Sequence, residues 1–209
     1  MLRRFPKSLM SRTKLKLFFI RKQAITLGRV GILLPIGAII PVVGILAGLA
    51  AVILLLISHN YFAKTYESPR IFNQALTGTI IMIAGNLLGV ILLVLGIGMA
   101  AFTASDGFDP SNITQVYSMV FNSGIAIFGA VIWFAAGIIG YWFIFQAMKE
   151  LSLRSGVSYF RTAGLLYFIG AIATIVLIGG IVIFIAWIIH IVAYFSILPE
   201  NQQFSEAGM

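Results

Sequence analysis

The stretch "GILLPIGAIIPVVGILAG" (residues 31–48) sets two prolines, Pro35 and Pro41, inside an apolar run that continues to residue 58. Whether this run crosses a membrane once as a kinked helix, or twice with a turn at Pro41, decides the topology of the whole chain. As one helix, residues 24–58 would extend roughly 52 Å, against a hydrocarbon core of about 30 Å. One crossing is overlong, whereas two crossings of about 17 residues each sit at the short limit. Proline removes a helical hydrogen bond and disfavours helix at the residue before it. Pro41 is therefore a suitable place for the chain to reverse, and Pro35 a place for a short first helix to bend.

The rest of the sequence supplies the class. Of 209 residues, 60% are hydrophobic and 10% charged, whereas soluble domains carry about 25% charged residues. Mean hydropathy is +1.05. Apolar runs recur at 30–58, 71–105, 110–148 and 162–199, each long enough for at least one span. The expected fold is all-α, a polytopic transmembrane bundle of six spans in three hairpins, with four long kinked spans as the alternative. The absence of cysteine excludes disulfides, thiolate catalysis and cysteine metal sites. With two histidines far apart in the chain, no metal or cofactor is expected. The apolar patch Leu17–Ile20 ends at Arg21 and Lys22, too short for a signal peptide, so the N-terminus reads as retained.

Charge orients the bundle. Nine of the fourteen Lys/Arg lie within residues 1–29, and the others are Lys64, Arg70, Lys149, Arg154 and Arg161. The link "TASDGFDPSNITQ" (103–115) carries two aspartates and no basic residue. By the positive-inside rule both termini and the basic links are cytoplasmic, and 103–115 is external. The basic N-terminus and the link at Lys64 then share one side, so an even number of crossings separates them. That parity selects a hairpin for residues 24–58. The C-terminal run 159–198 is overlong for the same reason, and Gly179-Gly180 near its middle can supply the turn. Asn112-Ile113-Thr114 is a glycosylation sequon that would require the external face.

Internal similarities agree with this layout. "GLLYFIGAIA" (164–173) resembles "GILLPIGAII" (31–40) at an offset of 133. "ESPRIFNQALTG" (67–78) aligns with "SGVSYFRTAGLL" (155–166) at an offset of 88, matching Phe72 and Ala75 to Phe160 and Ala163. In each link a serine, Ser68 or Ser158, is placed to cap a helix, with Pro69 in the first turn. Tyr61, Phe62, Tyr66, Tyr159, Phe160 and Tyr167 flank these links, as an aromatic belt would.

The segments "LLLISHNYFAKTYESPRIFNQALTG" (54–78), "FQAMKELSLRSGVSYFRTAGLLYFIGAI" (145–172) and "IAWIIHIVAYFSI" (185–197) resemble a family of small archaeal and bacterial membrane proteins, domain of unknown function 996. The resemblance covers roughly residues 25–198 and implies an architecture but no activity, ligand or site. Residues 1–23, a basic amphipathic cytoplasmic arm, fall outside it. Residues 24–198 form the transmembrane domain and 199–209 a short polar tail.

Chemistry is sparse. Every carboxylate (Glu67, Asp106, Asp109, Glu150, Glu200, Glu206) lies in a link or the tail, leaving none at mid-membrane for ion coupling. No catalytic constellation is present, so an enzyme is not expected. Asn86 falls near the middle of a span, where its amide would seek an interhelical partner. His59 and His190 lie toward span ends and read as hydrogen-bonded structure. Gly44 and Gly48, and Gly85 and Gly89, pair small residues on a helix face, while Gly124, Gly129, Ala136, Gly137 and Gly140 extend such a pattern. Arg3, Arg4, Lys7, Arg12, Lys14, Lys16, Arg21 and Lys22 alternate with apolar residues in a pattern suited to an anionic leaflet or an acidic partner. Nucleic acid is not an expected partner. The functional expectation is a structural or accessory subunit, or a lipid-organising protein, with other membrane subunits or its own copies as partners. The alternative is a small transporter or channel for an uncharged or weakly polar solute.

Overall fold

The computed structural model describes residues 7–39, 41–103, 109 and 111–197, with side chains from residue 16 onward except at 37–43 and 45. Among these the chain is helical, joined by turns, with no strand. The helices are α1 (Lys7–Leu33), α2 (Pro41–Thr65), α3 (Pro69–Thr103), α4 (Ile113–Asn122), α5 (Gly124–Ser155), α6 (Tyr159–Ala173) and α7 (Gly179–Phe195). Short 3-10 turns occupy Leu34–Ile39 and Thr174–Val176. Four stretches are long and apolar enough to cross a membrane: Leu46–Thr65, Pro69–Thr103, Gly124–Ser155 and Tyr159–Val176; α7 is a shorter apolar helix.

Three antiparallel pairs build the bundle. α1 lies on α2, with the Ser58 hydroxyl donating to the Ala24 carbonyl (2.7 Å) and Gly31 against Ala51 and Leu54. α3 lies on α5, and α6 on α7, where Gly170 faces Gly179 and Ile183. Contacts of α2 with α3, α5 with α6, and α1 with α7 close the pairs into a six-helix ring. The segments related by the offset of 133 are its two flanking pairs, α1–α2 and α6–α7.

Both turns differ in detail from expectation. Pro35 does not bend a helix; it lies within the 3-10 turn, and α1 stops at Leu33, two residues before it. Pro41 opens α2 rather than the turn, in the first helical position, where its missing N–H has no partner to lose. At the other end the reversal falls on Leu177, whose φ of 65° is left-handed, and not on Gly179-Gly180. Gly179 begins α7, where its bare Cα lets the helix approach the Gly170 carbonyl and Thr174. The apolar run 110–148 is broken at Ser123, whose hydroxyl accepts from the Ala126 N–H (3.3 Å) and caps α5. α4 before it is a separate helix capped by the sequon residue Asn112, whose side chain accepts from the Gln115 N–H. In the same link Ser111 donates twice to Asp109 and holds its carboxyl below the usual carboxylate range. The expected serine caps do not form: Ser68 donates to Glu150 (2.9 Å), which also pairs with Arg154, and Ser158 makes no capping bond.

The α3–α5 seam is made of residues without bulk. A Cβ on Gly78 would approach the Gly140 carbonyl (2.6 Å), one on Gly89 the Gly129 carbonyl (2.8 Å), and one on Gly85 or Gly96 would collide with Ala136 or Ala126. Gly78, Gly85, Gly89 and Gly96 share one face of α3, because eighteen residues make about five turns. Close backbone approach accumulates dispersion contacts, the main source of helix association where lipid is as apolar as the helix surface. Of the small residues noted on α5, Gly129, Ala136 and Gly140 face α3, whereas Gly124 and Gly137 border open space.

Burial is concentrated at one end of the ring, where Ala24, Phe62, Ile71, Leu151, Phe160, Ala193, Tyr194 and Ile197 meet. This corrects the aromatic belt. Phe62, Phe160 and Tyr167 belong to the core, Tyr61 and Tyr66 are half-buried, and Tyr159 is exposed. All six ring helices converge beside the basic links, so an aromatic residue there is as readily turned inward as toward a membrane surface. Arg29 ties α1 to the last turn of α7: its guanidinium donates to the Tyr194 carbonyl (3.1 Å) and the Ile197 carbonyl (3.5 Å), and lies 4.8 Å from the Phe195 ring centre. A cation at the carbonyl end of a helix is electrostatically favoured.

Gly89→Leu is expected to cost about 1–3 kcal/mol or more by overpacking the seam. Gly98→Leu, on the same helix but in open space, is expected to stay within about 0.5 kcal/mol; thermal midpoints in detergent compare the two. Leu177→Gly removes a left-handed Cβ and is expected to stabilise by about 1 kcal/mol in the same assay.

Candidate functional site

The ring holds a partly open cavity of about 510 Å³ to which all six of its helices contribute. That volume lies within the range of small-molecule sites, roughly 300–1,000 Å³. Most of the wall is apolar: Ile32 and Pro35 from the first hairpin, Ala51, Val52, Leu55 and Leu56 from α2, Met82 and Ile83 from α3, and Ile144 and Met148 from α5. Along α2 it reaches from Gly48 to His59, about 16 Å of helical rise. The polar groups on the wall are few: His59, Thr79, Asn86, Tyr141, Tyr167, Trp187 and His190. Asn86, His59 and His190, separate features in the sequence, thus face one space.

The histidines do not read as hydrogen-bonded structure in full. His59 is 6% exposed and His190 5%. Nδ1 of His59 lies 2.7 Å from the Leu55 carbonyl, its own helix four residues back. A carbonyl only accepts, so Nδ1 carries the hydrogen, and in the neutral ring Nε2 is left as a bare acceptor. That Nε2 has no partner, nor has either ring nitrogen of His190. His190 is held by ring contacts instead: stacked on Tyr194 (5.1 Å between centroids), and edge-on to Phe160 (6.0 Å) and Tyr167 (5.8 Å). Unpaired buried polar atoms are uncommon and costly, about 1–3 kcal/mol each.

Neighbouring groups fix this wall. The Tyr194 ring lies on α1 at Gly28, where a Cβ would collide with the ring edge. Ser58 spends its hydrogen on the Ala24 carbonyl, so the Tyr194 hydroxyl donates to Ser58 Oγ (3.3 Å). Trp187 donates from Nε1 to the Ile32 carbonyl (2.9 Å), and Tyr141 stacks on Tyr167 (5.6 Å). Thr79 donates to the Ala75 carbonyl (2.8 Å) within its helix. Sequence reasoning missed Ser58, Thr79, Tyr141, Tyr194 and Trp187; a small hydroxyl or an aromatic in an apolar run carries no mark of the face it occupies.

Of the glycines singled out in the sequence, Gly85 and Gly89 pack against α5, whereas Gly48 lines the cavity with open space beside it and Gly44 is half-buried. Arg3 and Arg4 lie outside the described residues. Lys7, Arg12 and Lys14 are in α1, Lys16 and Lys22 are exposed on it, and Arg21 is partly buried beside Tyr66. α1 runs unbroken through residue 23, so the arm and the first apolar helix are one element. Among the described residues no cluster of three metal-ligating side chains occurs.

An all-helical ring with four long apolar helices around a partly open, largely apolar cavity is a helical bundle compatible with a membrane. The chain belongs to the family described as protein of unknown function DUF996, whose model matches residues 47–188. It is 33% identical over 180 residues to Uncharacterized protein MJ1644 of Methanocaldococcus jannaschii, covering 86% of this chain and 94% of that protein. No solved structure matches it. The matched segment holds Asn86 and His59 and ends two residues before His190.

Ser58→Ala is expected to cost about 1 kcal/mol, because it leaves the buried Tyr194 hydroxyl without its acceptor. A thermal midpoint lowered in Ser58→Ala and unchanged in exposed Ser118→Ala would show the effect.

Proposed function

We propose that this is a non-enzymatic membrane protein that binds or carries an uncharged, weakly polar molecule in the cavity of its helical ring. The observation that carries this reading is the convergence of His59, His190 and Asn86 on one otherwise apolar cavity. The expectation of a structural or accessory subunit, assembling with other subunits or its own copies, drew on small-residue faces. Gly85 and Gly89 are used within the chain and Gly48 opens inward, so the cavity favours the solute reading.

In this proposal the chain spans the cell membrane six times in three hairpins, with termini and basic links cytoplasmic and 103–115 external. Support comes from the ring itself. The reversals at Leu34–Ile39, between α3 and α4, and at Leu177 lie at the end opposite the buried core, and Lys64, Arg70, Lys149, Arg154 and Arg161 flank the core end. α7, about 25 Å long, falls a few ångströms short of the hydrocarbon core, a mismatch that local bilayer thinning accommodates. The basic part of α1, continuous with the crossing helix, then projects from the bilayer on the cytoplasmic side, where each Lys or Arg close to the anionic leaflet contributes about 1 kcal/mol. No nucleic acid and no resident cofactor enter the proposal.

A variant carrying Trp133→Phe and Trp142→Phe, both positions partly exposed, leaves Trp187 as a reporter on the cavity wall. A medium-chain bromoalkane is expected to quench it. Gly48→Leu, whose added Cβ meets nothing within 4 Å, narrows the cavity at this point and is expected to weaken quenching while keeping the thermal midpoint. Equal quenching with and without Gly48→Leu would sink the reading. Reporters at the N-terminus, residue 107 and the C-terminus test the orientation, with residue 107 alone expected outside.

A further inference from the structure

A second, smaller cleft opens between α3 and α5, and we propose that it binds a phosphate group, the head of an anionic lipid in the leaflet at the basic end of the ring. The proposal rests on the reading of the ring as membrane-spanning and not on the central cavity or its ligand. The cleft measures about 170 Å³ and is lined by Arg70, Gln74, Gln146, Lys149, Glu150 and Leu153. That is below the roughly 300–1,000 Å³ of sites for drug-sized ligands and suits a single head group. Its place follows from the seam. Ser68 bonds to Glu150, Gly78 faces Gly140 and Gly89 faces Gly129, one antiparallel register that sets Arg70 level with Met148 and beside Lys149. Gln74 follows Arg70 by one turn, and Gln146, Lys149, Glu150 and Leu153 recur at the three- and four-residue spacing of a single helix face. Met148 turns to the central cavity, so this other face of α5, and the cleft with it, lies on the outside of the ring.

The chemistry of the wall is that of an anion site. Arg70 and Lys149 are exposed, and among the described residues neither forms a hydrogen bond or a salt bridge. Glu150, the carboxylate on the wall, is already engaged: Arg154 (3.0 Å) and Ser68 (2.9 Å) both donate to its Oε1. Arg154 offsets the charge of Glu150, so Arg70 and Lys149 leave the wall with a net positive charge. A guanidinium donates paired hydrogen bonds to a phosphate, and an ammonium adds a compact charge. Gln74 has its Oε1 enclosed without a partner, which leaves the amide nitrogen, a donor, as the end toward the opening. The level fits as well. Arg70 precedes the apolar run 71–105 and Lys149 follows the run that ends at 148, the height at which lipid phosphates meet the ends of membrane helices. Further along the same outer faces Leu88 and Leu95 of α3, and Ile139 and Phe128 of α5, are exposed. They give hydrocarbon chains an apolar surface beneath the head group.

The test uses the full-length protein in an uncharged detergent, titrated with dioleoyl phosphatidylglycerol or with dioleoylglycerol, which has the same chains and no phosphate. Native mass spectrometry counts the lipid retained. The parent is expected to keep phosphatidylglycerol and not dioleoylglycerol, and the double variant Arg70→Gln/Lys149→Gln to need about tenfold more phosphatidylglycerol for the same occupancy. Lys64→Gln/Arg161→Gln removes the same charge from exposed positions at the same end but outside the cleft, and is expected to bind as the parent does. Equal weakening in the two double variants would overturn the site, because general attraction to a basic surface then accounts for the binding. Equal retention of the two lipids by the parent would also overturn it, and this comparison decides even if Arg70→Gln/Lys149→Gln does not fold. Inorganic phosphate separates the two sources of the group: displacement of the lipid only at far higher concentration supports a lipid head, and displacement at comparable concentration overturns the lipid assignment in favour of the free ion. Quenching of Trp187 by the bromoalkane is expected to be the same in parent and Arg70→Gln/Lys149→Gln, so failure here leaves the cavity reading untouched.

Discussion

The ring closes where an aromatic side chain lies on a bare stretch of helix backbone. Tyr194 is fully buried, and its ring occupies the space that a side chain at residue 28 would fill. From that position its hydroxyl reaches Ser58 on α2, its ring face supports His190, and its carbonyl accepts from Arg29. Three helices are thereby fixed to one another by one residue, and both histidines are placed by it: His190 through stacking, His59 as the neighbour of Ser58. A side chain at Gly28 would collide with the Tyr194 ring and press α7 away from α1 at this contact.

The α3–α5 seam has a different role. Its backbones touch through glycine and alanine, so this pair is narrow, and it is also the longest, at about 50 Å of helix. The flanking pairs are shorter and meet each other through α7, which contacts α1 and, by the Tyr194–Ser58 bond, α2. Six helices arranged around a circle leave space at the centre unless large side chains fill it. At the core end Phe62, Phe160, Met148 and Leu151 do so; above them Gly48, Ala51, Ala75 and Thr79 do not. The cavity is thus a consequence of small residues at inward positions, in a ring whose closure is fixed elsewhere.

Legibility in the sequence followed the range of the interactions. The helical class and the places where the chain reverses could be read from run lengths and from charge, because both are properties of contiguous segments. The parity of basic segments led to a hairpin around Pro41, and α1 and α2 do pair there. The turns were misplaced by two to six residues because proline and glycine each have two uses. Pro41 suits a first helical turn as well as a loop, and Gly179 suits close packing as well as a reversal; which use holds depends on what lies opposite. Leu177 in a left-handed conformation, about 1–2 kcal/mol costlier than glycine there, had no signal at all. The break at Ser123 was hidden for the same reason, since a serine in an apolar run is a cap only once the chain bends.

The site was legible as residues and illegible as a place. Asn86, His59 and His190 stood out because polar groups in apolar runs are costly, but in a single sequence each is most simply explained by a local partner. For His59 that explanation is half right: Leu55 takes one nitrogen and leaves the other. For His190 no nitrogen is taken. A helix can satisfy one side of an imidazole from its own carbonyls, four residues back, but the far nitrogen points away from that helix and must find its partner across the bundle. Here no polar side chain lies across, and packed apolar and aromatic neighbours close over the nitrogens, so the two rings retain unmet hydrogen-bonding capacity inside the bundle.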